Sequence, residues 1–354
     1  MDTLATLQAN LLSPVTLAFA LGVVAKLVKS EIALPKDLYT SLSIYLLFAL
    51  GLKGGVELTH ATAADIVWPV CVTLLLGCLT PATTYLGMRH AGGFSVADSA
   101  AVAAHYGSVS AVTFIAAQQY CGHANLPLEG YLPTLLTLME SPGIHIALAI
   151  GAIGTLTAPA TSVVGGGGTA AMALGSGAGG LAGIDARATA GRLRVVLHEV
   201  LTGRTMVLLV GGMLVGYLMG DDGYRQVRPF FESGFKGALT LFILEMGLVA
   251  GARLGDLRQV GGFLLAFGIV VPMLHGIIGA LLGHWAGLSV GGCTVLAAMA
   301  ASASYIAAPP AVRMTLPEAN PTYSLTLALA ITFPFNLVVG IPLFHRFAAA
   351  IAGA

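Results

Sequence analysis

The stretch ASASYIAAPPAVR, residues 301–313, closes a long apolar run and decides how the whole chain is read. Two serines, a tyrosine and two consecutive prolines stand where a lipid-crossing helix would carry plain apolar side chains. Pro309 and Pro310 have no N–H to donate, and Pro309 disfavours helix at Ala308. Backbone groups left unpaired in hydrocarbon cost several kcal/mol each, so a break is tolerated only where protein or water lines it. The segment therefore reads as a helix interrupted in mid-membrane and facing a cavity.

The surrounding chain supports a membrane setting. Of 354 residues, 56% are hydrophobic and 9% charged, with mean hydropathy +0.88. A soluble domain carries about 25% charged residues. Spans long enough for a bilayer are expected near 12–28, 37–53, 63–87, 96–119 and 130–156, and again near 203–219, 230–252, 259–283, 288–312 and 322–350. The first, lacking a positive leading region, reads as a membrane helix rather than a cleaved signal. Residues 157–191, rich in Gly and Ala, read as a flexible linker. RLRVVLHEVL (192–201) has helical periodicity and reads as a surface helix. The expected organisation is a first five-helix repeat (1–156), the linker (157–191) and a second five-helix repeat (192–354).

The two sets look like copies. GLKGGVEL (51–58) returns as GLVAGARL (247–254), and HAGGFSV (90–96) as HWAGLSV (284–290), each with four identities in nearly one register. An odd number of spans per copy forces the second to enter from the opposite face. The expected fold is thus an all-α integral membrane protein of ten transmembrane helices in two inverted repeats, with the site at their interface. In the same register, 301–313 corresponds to HYGSVSAVTFIAA (105–117), which also gathers small residues and hydroxyls in mid-span. Two broken helices meeting from opposite sides aim N-terminal N–H groups at the midplane, where they attract anions. Freed carbonyls and hydroxyls can ligate Na⁺. Tight packing of small residues is the competing explanation for the serines taken alone.

Charge assigns orientation. Lys26, Lys29, Lys36, Arg89, Arg187, Arg192, Arg194, Arg204, Arg253, Arg258 and Arg313 fall on the linker side; Lys53, Arg225, Arg228 and Arg346 fall on the other. The positive-inside rule makes the linker cytoplasmic and both termini external, which is periplasmic for the expected bacterial inner membrane. Nothing suggests nucleic acid. Cys71, Cys78, Cys121 and Cys293 form no C-x-x-C pair and read as small buried apolar residues.

Within the spans, Glu140 precedes Pro142 and corresponds to ITFPFN (331–336) in the second copy. A carboxylate there costs roughly 2.5 kcal/mol or more and should face a cavity or partner. Glu140, with Ser302, Thr332 and Asn336, is the expected sodium-binding set. Glu245 and Lys236 share a span at a spacing too long to pair with each other. His105, His145 and His275 read as hydrogen-bonded packing residues, and no His or Glu spacing points to a metal.

SPVTLAFALG (13–22), YLLFALGLKGG (45–55), MESPG (139–143), VVPMLHG (270–276), SASYIAAPPAVRMTLPEANP (302–321) and FPFNLVVGIPLF (333–344), with HYGSVSAVTFIAA, together resemble the sodium-dependent bicarbonate transporter family. Its first described members are cyanobacterial bicarbonate permeases. The resemblance implies a homotrimeric carrier with core and gate domains, Na⁺ as coupling ion and no cofactor. It also implies a PII-like regulatory protein at the cytoplasmic face of some members. The family's substrate region matches Gly107, Ser108, Ser110 and Thr113, with Ser302, Ser304 and Tyr305 opposite. Tyr305 stands where the cyanobacterial proteins carry an acidic residue. The expected function is Na⁺-coupled bicarbonate symport. Its alternative is a carrier of the same fold for another small anion or carboxylate, coupled to protons through Glu140. An intramembrane enzyme is a remote third, since no G-x-S-x-G or H-E-x-x-H is present.

Overall fold

The structure is a computed structural model that describes residues 12–157 and 202–353. The expected linker and surface helix, with Arg187, Arg192 and Arg194, lie outside the described residues. Among those described there are helices and no strands, as a chain that must satisfy its own backbone in lipid requires. In order these are α1 (Pro14–Leu27), α2 (Lys36–Leu58), α3 (Ala63–Leu86, extended by a π turn over Gly87–Ala91), α4 (Val96–Gly107), α5 (Ala111–His123) and α6 (Leu132–Thr157). There follow α7 (Arg204–Arg228), α8 (Gly234–Arg253), α9 (Leu257–Trp285), α10 (Val290–Ala300) and α11 (Ala308–Thr315). The last run, α12 (Pro321–Ala352), contains two π turns. Seven helical runs are long and apolar enough to cross a membrane, with α1 and α10 as shorter apolar helices. One of the seven, Met206–Asp256, runs through two expected windows, because α7 passes into α8 without a gap.

Local sequence explains the boundaries. Ser13, Ser95, Ser110 and Ser289 each cap a helix by accepting a backbone N–H from its first turn, the role for which a short hydroxyl is favoured. Gly220 bends α7 at φ +58°, a conformation that glycine adopts without steric cost. There the apolar part of the helix gives way to the polar DDGYRQVR.

Two pairs of helices meet backbone to backbone. In α1 and α8, a Cβ at Gly22 would lie 2.2 Å from the Leu244 carbonyl oxygen, and one at Gly247 2.2 Å from that of Phe19. In α2 and α7, a Cβ at Gly55 would lie 2.0 Å from the Met213 oxygen, and one at Gly216 2.1 Å from that of Leu52. With no hydrophobic drive between helices in lipid, such close approach is what holds them. The same four helices form one packed group, since α8 also contacts α2.

The other helices pack around α4, α5, α10 and α11. α4 lies against α3 and α6, and α10 lies against α9, α12 and α5. Two carboxylates tie loops to half-helix starts. Glu129 accepts the Ser289 N–H at 2.6 Å before α10, and Asp98 in the first turn of α4 accepts the Asn320 N–H at 2.7 Å. Cys121 and Cys293 are buried as expected, but Cys71 and Cys78 are exposed on α3.

Candidate functional site

α4 stops at Gly107 because the chain turns extended at Ser108, and helix resumes only after Ser110. Gly107 and Gly143 of α6 must both lack side chains, since a Cβ on Gly143 would lie 1.9 Å from the Gly107 oxygen. This draws α6, and with it Glu140, against the break. The second break follows α10. Ser302 donates its hydroxyl to the Met299 carbonyl at 2.8 Å, and the chain runs without helical bonds until α11 begins at Ala308.

The prolines sit later than the break that the sequence leads one to expect at them. Ala308 is helical, and Pro309 and Pro310 occupy the first turn of α11 rather than the break. Their missing N–H groups are ones that a first turn leaves unpaired in any case, so they start the half-helix instead of disrupting one.

The two breaks are bonded to each other. The Ser304 N–H donates to the His105 carbonyl at 2.7 Å and is shared with that of Ser108 at 3.0 Å. The Ser110 N–H donates to Ser302 Oγ at 2.9 Å. Backbone groups freed by one interruption are thus satisfied by the other, which is how non-helical chain persists at membrane depth.

A cavity of about 20 Å³ opens beside this crossing, lined by Ser110, Glu140, Ser304 and Tyr305, with Ser43 and Leu47 from α2 and Phe242 from α8. By the same measure about 10–15 Å³ holds one water, so the space as it stands takes little more than a water, and a larger ion enters only when the surrounding helices move apart. Glu140 is 3% exposed, and its Oε2 has no hydrogen-bond partner among the described residues. The Tyr305 hydroxyl is likewise buried without a hydrogen-bond partner among the described residues. Ser110 Oγ accepts from Thr113 N–H at 3.3 Å, and Ser304 Oγ from Ala307 N–H at 3.3 Å, leaving both hydroxyl protons available. The first-turn N–H groups of Ala111 and Val112 add donors at the α5 start. α11 offers fewer, because Pro309 and Pro310 have none.

The remaining expected residues separate. Gly107, Ser108, Thr113 and Ser302 build the crossing; the hydroxyls of Ser108 and Thr113 are buried and unpartnered among the described residues. Thr332 lies elsewhere, donating to the Gly268 carbonyl at 2.9 Å and bonded to Tyr106 at 2.6 Å. Asn336 donates to the Ala301 carbonyl at 2.7 Å, next to Ser302, and its Oδ1 is unpartnered. The expected sodium set is therefore not gathered in one cavity: Glu140 joins Ser110 and Ser304, while Asn336 lies nearer Ser302.

Nothing in the sequence singles out Ser43, Leu47 and Phe242, because they arrive from the packed group of α1, α2, α7 and α8 and no local pattern distinguishes Ser43 from other mid-span hydroxyls. Glu245 lies near the Leu34 backbone and Lys26. His275 pairs with Thr83 at 2.8 Å between α9 and α3, a packing role.

Residues 14–349 match the sequence profile of the Na+-dependent bicarbonate transporter superfamily. No curated protein gives a match. The match spans both broken helices, every residue of the cavity and both clasping carboxylates. The chain belongs to the Na+-dependent bicarbonate transporter superfamily.

Proposed function

We propose that the protein is a secondary active transporter that carries bicarbonate with Na⁺ across the membrane by alternating access. The observation that supports this most is the cavity at the crossing. There, unpartnered hydroxyls and half-helix N–H groups converge beside an unpaired carboxylate. A bicarbonate ion needs several convergent donors but no fixed cation that would hold it too tightly for release. Ser110, Ser304, Tyr305 and the α5 start supply such donors.

Glu140 supplies the coupling. While its carboxylate is bare, a second negative charge in the same small cavity is repelled. A Na⁺ ion between the two removes the repulsion, so anion and cation bind together or not at all. Asn336 Oδ1 and the Ser302 region offer further oxygen ligands for a cation. The mutual pairing of α1 with α8 and α2 with α7, and the reciprocal clasps through Glu129 and Asp98, favour ten membrane helices in two inverted repeats divided at the central linker. In that arrangement one helix group slides against the other to expose the cavity alternately. The positive-inside orientation places the α4 start and the α11 end at the cytoplasmic face.

Uptake of labelled bicarbonate into proteoliposomes, with and without an inward Na⁺ gradient, tests the proposal. Gradient-driven accumulation is expected. Accumulation of bicarbonate that ignores Na⁺ overturns the coupling, and no bicarbonate uptake overturns the substrate.

A further inference from the structure

A second cavity, of about 290 Å³, lies on the other side of the crossing, between α4, α11 and the start of α12. We propose that it is a second anion site, built for a small oxyanion that carries a hydroxyl, with His105 at its deep end and Arg313 at its mouth. No residue that lines the first cavity lines this one.

His105 is 1% exposed and lines this cavity. Its Nδ1 lies 2.8 Å from the Ala101 carbonyl oxygen. A carbonyl only accepts, so Nδ1 carries the hydrogen, and the neutral ring then presents Nε2 as a bare acceptor. Nε2 has no partner among the described residues. A buried acceptor left unpaired is costly, and a ligand with a proton to donate relieves it. A deprotonated carboxylate or a nitrate cannot.

Arg313 lines the same cavity, is exposed, and forms no ion pair among the described residues. Its planar fork of donors matches the two-oxygen edge of a carboxylate-like anion. A ligand that accepts from the guanidinium fork and donates to Nε2 has two oxygens sharing a negative charge and one hydroxyl, the pattern of a hydrogencarbonate-type anion. Ser324, buried beside them, adds a hydroxyl to the wall.

The two cavities share one structural layer. The His105 carbonyl accepts the Ser304 N–H, while Ser304 lines the first cavity. An anion leaving the crossing toward the cytoplasm would thus meet a site of matching chemistry. That direction rests on the transporter reading above; the existence of the second site does not.

Equilibrium binding of labelled bicarbonate to the purified full chain, in saturating Na⁺, tests this, using Arg313→Gln, Arg313→Lys and Ser110→Ala. Arg313 is exposed, so its replacement leaves the packing intact. The expected result is two bicarbonates per chain. Arg313→Gln weakens one of them by at least about tenfold, as expected for loss of a charge-assisted contact; Arg313→Lys partly restores it, and Ser110→Ala weakens the other. Nitrate is expected to displace bicarbonate poorly at the Arg313-dependent site. A single bicarbonate, indifferent to Arg313→Gln and weakened by Ser110→Ala, overturns the second site and leaves the transporter reading intact. Two bicarbonates that both ignore Arg313→Gln overturn its location. Equal displacement by nitrate overturns the role of His105.

Discussion

Removing the Ser110 hydroxyl separates ligand binding from helix capping, because this one oxygen serves both. Its backbone N–H donates to Ser302 Oγ whatever the side chain, so the crossing keeps that bond. As an N-cap, Ser110 accepts the Thr113 N–H; replacement by Ala costs about 1 kcal/mol of stability, and by Gly only a few tenths. A hydrogen bond from Ser110 to a bound anion contributes about 1.5–3 kcal/mol, which is about 10- to 150-fold in affinity. Ser110→Gly and Ser110→Ala should therefore weaken bicarbonate equally, while only Ser110→Ala lowers the melting midpoint appreciably. Ser110→Asp should keep the cap and abolish uptake, since it places a second carboxylate beside Glu140. The measurements are the KM for uptake into proteoliposomes and thermal unfolding in detergent. An unchanged KM in Ser110→Gly would refute the reasoning, because the cap is then nearly conserved and only the hydroxyl is missing.

Further outcomes follow from the same geometry. Glu140→Gln keeps the shape and removes the charge, so the Na⁺ stimulation of uptake should collapse; stimulation equal to wild type would move the cation site elsewhere. Tyr305→Phe deletes a hydroxyl with no protein partner, so melting should not change while the KM rises about tenfold; an unaltered KM removes Tyr305 from the site. Gly143→Ala forces a Cβ to within 1.9 Å of the Gly107 oxygen. It should cost at least about 1–3 kcal/mol and silence uptake, whereas Gly237→Ala, whose Cβ would meet nothing within 4 Å, should leave both stability and uptake unchanged. Wild-type behaviour in Gly143→Ala would show that the close approach of α4 and α6 is dispensable.

Much of this molecule was legible from local chemistry. Composition forced a helical membrane protein, because so few charges cannot solvate a surface and lipid satisfies no backbone. Hydroxyl-rich, glycine- and proline-marked stretches at 105–117 and 301–313 identified both interruptions, since small and polar side chains in mid-span mark departures from the helix. The second break lies a few residues before the prolines that mark it. Proline alone does not reveal whether it ends one helix or begins the next; that depends on which N–H groups the neighbouring chain already satisfies.

Tertiary structure decided the partners. That Ser304 donates to His105 and Ser108, and Ser110 to Ser302, depends on two segments almost two hundred residues apart arriving at one point, and no spacing along the chain encodes such a meeting. The same holds for Glu140 joining the serines while Thr332 turns to Tyr106, and for Ser43 and Phe242 entering from the other helix group. Periodicity and propensity act over a few turns of helix and so were readable in order along the chain. A binding cavity is assembled from contacts between helices, whose energy exists only once those helices have packed.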